Sequence, residues 1–379
     1  EEIYMDKLGF GLMRLPLLQK DDGRKIDGQT VCDMADCFLK RGFTYFDTAY
    51  PYHEGKSETA FREAVVKRHP RFAYTITDKL PLYLLQRQEE MEEIFQCQLE
   101  RLGLDTIDYY ILHNVNTISY AQAQKLDAFG FIRQKQMEGK VKHIGFSFHD
   151  RADLLEKVLT EHPEVEFVQL QINYLDWEDT NVQARLCYET AVRHGKQVIV
   201  MEPIKGGSLT QLPPQAAELL ENFRPGVSPA VWALLFAASL EHVKVVLSGM
   251  STPEQLKENT AAVADQPPLT SEEREALLQV AEVLRAQIAI PCTACRYCVE
   301  DCPKKIAIPE YFSLYNSLYR FGANQAGNVG AYYRNLIQKY GKPDECIGCG
   351  KCERHCPQHL TIRQYLQQIA EELDATKES

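Results

Sequence analysis

The 379-residue chain has no uncharged apolar run of about 18 residues or more, the length a membrane-spanning helix needs. Its first residues, with Glu1, Glu2, Asp6 and Lys7, have neither the basic flank nor the apolar block of a secretory signal. Basic residues are not in excess: 42 Lys and Arg stand against 53 Asp and Glu. The resulting net charge of −11 argues against a nucleic-acid scaffold. The chain also lacks a Gly-x-Gly-x-x-Gly run after its first strand-like segment, where an open doubly wound sheet would carry its dinucleotide loop.

Cysteine is plentiful, but it is not spread as in a disulfide-knit secreted protein. Cys32, Cys37, Cys97 and Cys187 are scattered, and the other eight fall in two short groups after residue 290. Fixed short gaps between thiols in a long chain point to metal binding in a reducing compartment, the cytoplasm. The groups read Cys292-x2-Cys295-x2-Cys298-x3-Cys302-Pro303 and Cys346-x2-Cys349-x2-Cys352-x3-Cys356-Pro357. This is, twice, the bacterial ferredoxin spacing for two [4Fe–4S] clusters, in which the fourth cysteine ligates the other cluster. Cys292, Cys295, Cys298 and Cys356 are thus expected to hold one cluster, and Cys346, Cys349, Cys352 and Cys302 the other. A zinc ribbon would instead show paired Cys-x2-Cys knuckles around one ion. The intervening stretch is long and carries helical patterning over 311–320 and 330–340, so a mainly helical dicluster ferredoxin-like module is expected. Tyr311, Phe312, Tyr315, Tyr319, Tyr332 and Tyr333 are expected to pack around its clusters.

Upstream, strand-like runs occupy 8–15, 43–46, 72–77, 107–112, 141–146, 167–172, 197–201 and 243–247. Amphipathic helical patterns lie between them, at 29–40, 88–102, 150–160, 180–194 and 253–263. Most of the strand-like runs are continuously apolar, as parallel strands buried on both faces require. Eight such units within about 265 residues suit a closed (β/α)8 TIM barrel. Pro267 and Pro268 break the pattern, and a helix is expected over 271–288. The expected organisation is an α/β barrel over 1–268, a connecting helix over 269–290 and the ferredoxin-like domain over 291–379, frayed from residue 375.

Residues at the C-terminal ends of barrel strands face the active site. Asp47, Lys79 and His113 each sit at or just past such an end, and Tyr52 lies in the loop after Asp47. A free phenol, with a pKa near ~10, is a poor acid at neutral pH. A neighbouring ammonium favours the phenolate and makes it a better one. Lys79 would serve Tyr52 in this way, with Asp47 keeping the lysine charged and oriented. Tyr52 would then protonate a carbonyl oxygen as hydride reaches the carbon, while His113 holds that oxygen.

The pattern Asp47-x4-Tyr52, Lys79 and Leu112-His113 resembles the aldo-keto reductases. So do Gly9-Phe10-Gly11, Gly145-Phe146-Ser147 and Thr252-Pro253-Glu254 with Glu258-Asn259. The likeness covers roughly residues 3–265 and implies a TIM barrel with a nicotinamide cofactor, NADH or NADPH, across its C-terminal face. It implies cofactor contacts at Gly11, Ser147, Gln171, Met201, Gly249, Gln255, Glu258 and Asn259, with Gln171 preferred to Gln169 because Gln171-x2-Tyr174 fits the family pattern. His113 favours carbonyl reduction, since relatives that reduce a conjugated C=C bond carry glutamate there. Phe148 stands in place of the usual asparagine, and Gly249 and Gln255 stand where a lysine and an arginine grip a 2′-phosphate, with Lys257 or Lys205 as substitutes. With the cysteines included, the chain resembles the anaerobe-type aldo-keto reductases that end in a dicluster ferredoxin module. Three functions fit. One is a nicotinamide-dependent reductase of an aldehyde or ketone. Another is a barrel fed through the clusters by a ferredoxin or a flavoprotein, although no flavin motif is present. The last is a non-catalytic electron-transfer subunit.

Overall fold

A computed structural model describes residues 7–18, 25–179, 182–286, 288–321, 333–334 and 336–375. Thr180, Tyr332 and residues 376–379, which entered the expectations above, lie outside the described residues. By its contacts the chain divides into two units. One comprises residues 1–204 and 227–271, the other residues 205–226 and 272–379.

In the first unit eight parallel strands close into a barrel in chain order. They are β1 (Leu8–Gly11), β2 (Tyr45–Asp47), β3 (Thr75–Pro81), β4 (Ile107–Val115), β5 (Val141–Phe148), β6 (Phe167–Gln171), β7 (Gln197–Met201) and β8 (Val243–Ser248). Side chains alternate along a strand, so every second residue enters the barrel. Tyr45, Tyr109, Ile111, Phe167, Ile199 and Val245 meet there as one cluster. Glycine makes room where the interior narrows. A Cβ on Gly9 would lie 2.6 Å from the Leu247 side chain, and one on Gly145 would lie 2.5 Å from the Phe167 carbonyl oxygen.

The helices follow from pattern and caps. In Gly28–Lys40, Val31, Met34, Ala35 and Phe38 form the buried stripe of a 3.6-residue period, and the Asp27 side chain caps the Thr30 amide at 3.2 Å. Pro229–Ala238 gives no such signal in the sequence because every residue from Val231 to Ala238 is buried. Its start is still chemically marked, by Pro229 in the first turn and the Ser228 hydroxyl accepting from the Val231 amide. Helices Thr117–Leu126, Ala128–Met137 and Pro214–Glu221 are likewise additions to the sequence reading.

Three strands differ from expectation by three residues or more at an end. The run 8–15 is a strand only to Gly11, and a 3-10 turn, Leu12–Arg14, follows where the barrel mouth offers no partner strand. The run 72–77 begins three residues later, at Thr75, since Phe72 is exposed, and it continues through the charged pair Asp78-Lys79 to Pro81. Lys79 is therefore inside a strand, and so is His113, because β4 extends to Val115.

The second unit is mainly helical. Residues 271–285 (Ser271–Arg285) form a helix, and Ile308–Phe321 and Ile362–Ala375 pack with Ile290, Ile306, Tyr333 and Leu360 around a core of their own. Tyr311, Phe312, Tyr315 and Tyr333 belong to that core, whereas Tyr319 is exposed. Among the described residues no helix is long and apolar enough to cross a membrane.

Replacing Gly145 by alanine drives a methyl group into the Phe167 carbonyl, a backbone atom that cannot swing away. The expected loss of stability is about 1–3 kcal/mol, read as a lower urea midpoint.

Candidate active site

The loop after β2 is built to fix one side chain. The Tyr52 amide donates to the Ala49 carbonyl (3.0 Å), and the Tyr52 carbonyl accepts from the Gly55 and Ser57 amides (3.1 and 3.2 Å). His53, Glu54 and Gly55 all take positive φ, turning the chain back sharply after the tyrosine. The Leu15 amide donates to His53 Nε2 (3.2 Å), and the Ser57 hydroxyl donates to the Leu12 carbonyl (3.1 Å), tying the loop to the turn after β1.

Asp47 ends β2, and the buried Lys79 reaches it from β3. The Lys79 ammonium donates to Asp47 Oδ1 at 2.5 Å and to the Thr48 carbonyl at 2.6 Å, and lies 4.9 Å from the centre of the Tyr52 ring. Burial pushes the Asp47 carboxyl up, against the pull of the Lys79 ammonium and a bond from Gln169 Nε2 (3.3 Å). His113 also lies beside Tyr52, its ring 6.0 Å away and nearly perpendicular. The pairing of β4 with β5 shifts between Leu112 and Val115, and Asn114 has φ +64°. Such a bulge re-aims the adjacent side chain, here His113. Burial, then Lys79 and His149, hold the imidazole well below its usual range, so it is neutral at physiological pH. The four residues read from the sequence are thus gathered at the C-terminal end of β2, β3 and β4.

A second layer was not legible in the sequence. Asp78 points to the opposite side of β3 from Lys79, where its carboxyl shares a hydrogen bond with Glu58; both are fully buried. Arg101 pairs with Glu58 at 2.9 Å, donates to the Tyr50 carbonyl and stacks on the Tyr50 ring. Burial, then the neighbouring Glu58, push Asp78 well above the carboxylate range, so it carries the shared proton. Burial also raises Glu58, to about 7.

The residues proposed for cofactor contact are distributed as follows. Gly11 ends β1 with the Ser248 carbonyl 3.4 Å from where a Cβ would stand. The Ser147 hydroxyl accepts from the Asn114 amide (2.8 Å). Gln171 donates to Asp176 (2.8 Å), while Gln169, two residues deeper on the same side of β6, is the one that meets Asp47. Met201 ends β7. Beyond β8, Gln255 accepts from the Ser251 amide (2.8 Å), Asn259 donates to the Ser248 hydroxyl (3.0 Å), and Glu258 is exposed. The Arg14 side chain lies against Gly249, 3.3 Å from its would-be Cβ, a nearby cation that the sequence reading passed over. Lys205 is engaged elsewhere, within the second unit.

In that unit the cysteines fall into two cavities. One is lined by Cys292, Cys295, Cys298 and Cys356, the other by Cys302, Cys346, Cys349 and Cys352. The fourth cysteine of each run therefore lies with the first three of the other. Burial, more than any neighbour, pushes Cys292, Cys352 and Cys356 up to about 11. Among the described residues no three His, Cys, Asp or Glu side chains gather as one metal ion would need. Four thiols around a cavity are instead the donor set of an iron–sulfur cluster.

A closed parallel barrel with titratable groups at its C-terminal end is a common frame for enzymes. The model described as "Aldo/keto reductase family" matches residues 7–282, and this chain belongs to that family of oxidoreductases. A second model, "4Fe-4S dicluster domain", matches residues 291–361. The chain is 24% identical over 308 residues to the NADH-specific methylglyoxal reductase of Escherichia coli, covering 69% of this chain and 91% of that protein. It is 28% identical over 253 residues to an aldo-keto reductase of Mycolicibacterium vanbaalenii, covering 64% and 84%. Among solved structures, an aldo-keto reductase from Bacillus halodurans superposes with a TM-score of 0.58 at 24% identity, over 72% of this chain and 91% of that one. One from Klebsiella pneumoniae in complex with NADPH gives 0.57 at 18%, over 73% and 90%.

The raised Glu58 has a consequence for pH. Between its ordinary value of 4.5 and about 7 the folded chain holds a proton that the unfolded chain has released. Its contribution to stability is full below pH 4.5 and is lost as the pH rises through about 7. Asp78→Asn removes the second carboxyl and leaves an amide that donates to Glu58. The fall in melting temperature between pH 5 and pH 7.5 is expected to be shallower in this variant than in the parent chain.

Proposed function

We propose that the barrel reduces the carbonyl group of a small aldehyde or ketone, with NADH or NADPH as hydride source and Tyr52 as general acid. The observation that supports this reading is a buried, Asp47-paired Lys79 ammonium 4.9 Å from the centre of the Tyr52 ring, with a neutral His113 ring 6.0 Å from it. The bound nicotinamide would supply the hydride. The chain's own residues do the rest. His113 offers an N–H to the carbonyl oxygen and fixes its position, as only an imidazole with a proton on the facing nitrogen can. As the carbon–hydrogen bond forms, the carbonyl π electrons move to oxygen, and that oxygen takes the Tyr52 proton. The phenolate left behind is stabilised by the ammonium of Lys79, which Asp47 and the Thr48 carbonyl hold in place. Ser147 and Gln171, or Gln169 beside it, are the polar groups available to a carboxamide. Arg14 beside Gly249 is available to a cofactor phosphate.

The second unit would hold two [4Fe–4S] clusters with crossed ligation. One would rest on Cys292, Cys295, Cys298 and Cys356, the other on Cys302, Cys346, Cys349 and Cys352, as the two cavities pair them. Cysteine binds iron as thiolate, so cluster assembly releases protons and is expected to weaken as the pH falls.

Tyr52→Phe is expected to lower carbonyl-reductase turnover at least about 100-fold, the scale of a lost general acid, while leaving the iron–sulfur absorbance unchanged. Retained turnover would remove the tyrosine from its role. Anaerobic addition of NADH or NADPH to the cluster-loaded protein is expected to leave that absorbance in place. Bleaching by nicotinamide alone would favour clusters that exchange electrons with the barrel. Cys302→Ser is expected to disturb the cluster held by the second cysteine run; damage confined to the first run's cluster would contradict the crossover.

A further inference from the structure

Behind the barrel site two acids meet where only one can be charged. Glu58, on the helix Ser57–Phe61, and Asp78, on β3, are both fully buried. Each has one oxygen engaged by a donor. Glu58 Oε2 accepts from Arg101 at 2.9 Å, and Asp78 Oδ1 accepts from the Lys79 amide at 2.8 Å. The remaining oxygens, Glu58 Oε1 and Asp78 Oδ2, have no other donor among the described residues, and the two carboxyls hydrogen-bond each other. Two carboxylates are both acceptors only, so that bond needs a proton on one of them.

Charge decides which acid holds it. Arg101 pairs with Glu58, whereas the Lys79 ammonium enters the barrel on the other side of β3 and is held by Asp47 and the Thr48 carbonyl. Cys97 and Tyr110, the other titratable groups facing the pair, supply no positive charge. An ionised Asp78 would set a second buried anion beside Glu58, with one guanidinium for the two. Asp78 is therefore the donor and Glu58 the acceptor, the direction in which burial and Glu58 push the Asp78 carboxyl.

The bond joins two parts of the site that must stay together. Asp78 is one residue before Lys79. Glu58 follows Ser57, whose amide donates to the Tyr52 carbonyl at 3.2 Å. Glu58 also fixes Arg101, which donates to the Tyr50 carbonyl at 3.4 Å and lies 4.4 Å from the centre of the Tyr50 ring. A Cβ on Gly55 would stand 3.1 Å from the same guanidinium. Arg101 thus touches the loop both before and after Tyr52. A bond made by a neutral acid ties that loop to β3 without adding negative charge behind Lys79.

We propose that Asp78 is a positioning residue for the general acid: kept protonated, it donates to Glu58 and so holds the Tyr52 loop against the strand that carries Lys79. The phenol then stays close to the ammonium that makes it acidic. This role deepens the reading of Tyr52 as proton donor and rests on it.

The full-length chain, prepared anaerobically, is compared with Asp78→Asn, Asp78→Ala and Tyr52→Phe. Two readouts need no substrate. The infrared difference between the parent and Asp78→Asn at neutral pH is expected to contain the C=O band of a protonated carboxyl. Tyrosinate absorbance on alkaline titration, with that of Tyr52→Phe subtracted, reports the titration of Tyr52. Asparagine accepts from the Lys79 amide through its oxygen and donates to Glu58 through its nitrogen. Asp78→Asn is therefore expected to leave Tyr52 titrating where it does in the parent, with turnover of propanal, benzaldehyde or acetone by NADH or NADPH retained. Asp78→Ala is expected to move the Tyr52 titration up toward the ~10 of a free phenol, with turnover falling by up to about tenfold for each pKa unit of that move. Asp78→Val, a better strand former, gives the same comparison if Asp78→Ala does not fold.

Absence of the protonated-carboxyl band would overturn the role of Asp78 alone. So would a Tyr52 titration unmoved in the folded alanine or valine variant, or Asp78→Asn behaving as Asp78→Ala does. Failure of both apolar variants to fold would mark a purely structural residue and overturn it too. Retained turnover in Tyr52→Phe, or a parent chain that reduces none of the three carbonyls, would overturn the general-acid reading and the role of Asp78 with it.

Discussion

Two opposite charges buried within 2.5 Å of each other, Lys79 and Asp47, constrain the barrel site more than any other contact. Removing an ion from water costs several kcal/mol even after relaxation, so a buried pair is a poor way to add stability. It persists only where the geometry around it is closely fixed. Here the Thr48 carbonyl takes a second ammonium hydrogen and Gln169 donates to the free carboxylate oxygen. Those bonds settle where the backbone after β2 must run, and the Tyr52 loop is built from that point. Lys79 cannot turn away without leaving Asp47 uncompensated, so positive charge stays beneath the phenol whether or not a ligand is present. The same charge helps to keep His113 neutral, which leaves it a donor without adding a second cation to the site.

Strand alternation lets one stretch of β3 serve two environments. Lys79 enters the barrel, while Asp78, one residue earlier, faces outward to Glu58. The Lys79 carbonyl accepts from Gln98, and its amide donates to Asp78 Oδ1, so the lysine backbone is held from the helix side while its side chain works inside. Arg101 links this layer to Tyr50, two residues before Tyr52. A proton shared by Asp78 and Glu58 keeps the net charge behind Lys79 low, so this layer does not compete with Asp47 for the ammonium.

What the sequence discloses and what it hides follow from these packing facts. Asp47, Lys79 and His113 are legible as a group because each stands at or near the end of an apolar run, and polar residues recurring at matching strand ends fall at one end of the barrel. Asp78 is hidden by its neighbour. Next to Lys79 it reads as the solvated end of a strand, and only its burial against Glu58 shows otherwise. The helix Pro229–Ala238 is hidden because burial on all sides erases the period that betrays an amphipathic helix. Arg14 lies far from Gly249 in the chain, and its approach is set by barrel closure between β1 and β8, which no local pattern reports. The cysteine runs are the opposite case, since their spacing is local and carries nearly the whole donor set. Lys205 shows the limit of sequence position as a guide. It lies within the span of the reductase family model, four residues past the end of β7, yet its contacts belong to the other unit.

The two units also handle buried charge in opposite ways. The barrel contains its own counter-ions, so its site is assembled by folding alone and a ligand enters a field that already exists. In the second unit the donors are cysteines, which bind iron as thiolates, so the negative charge of that site is set by proton release as iron is taken up.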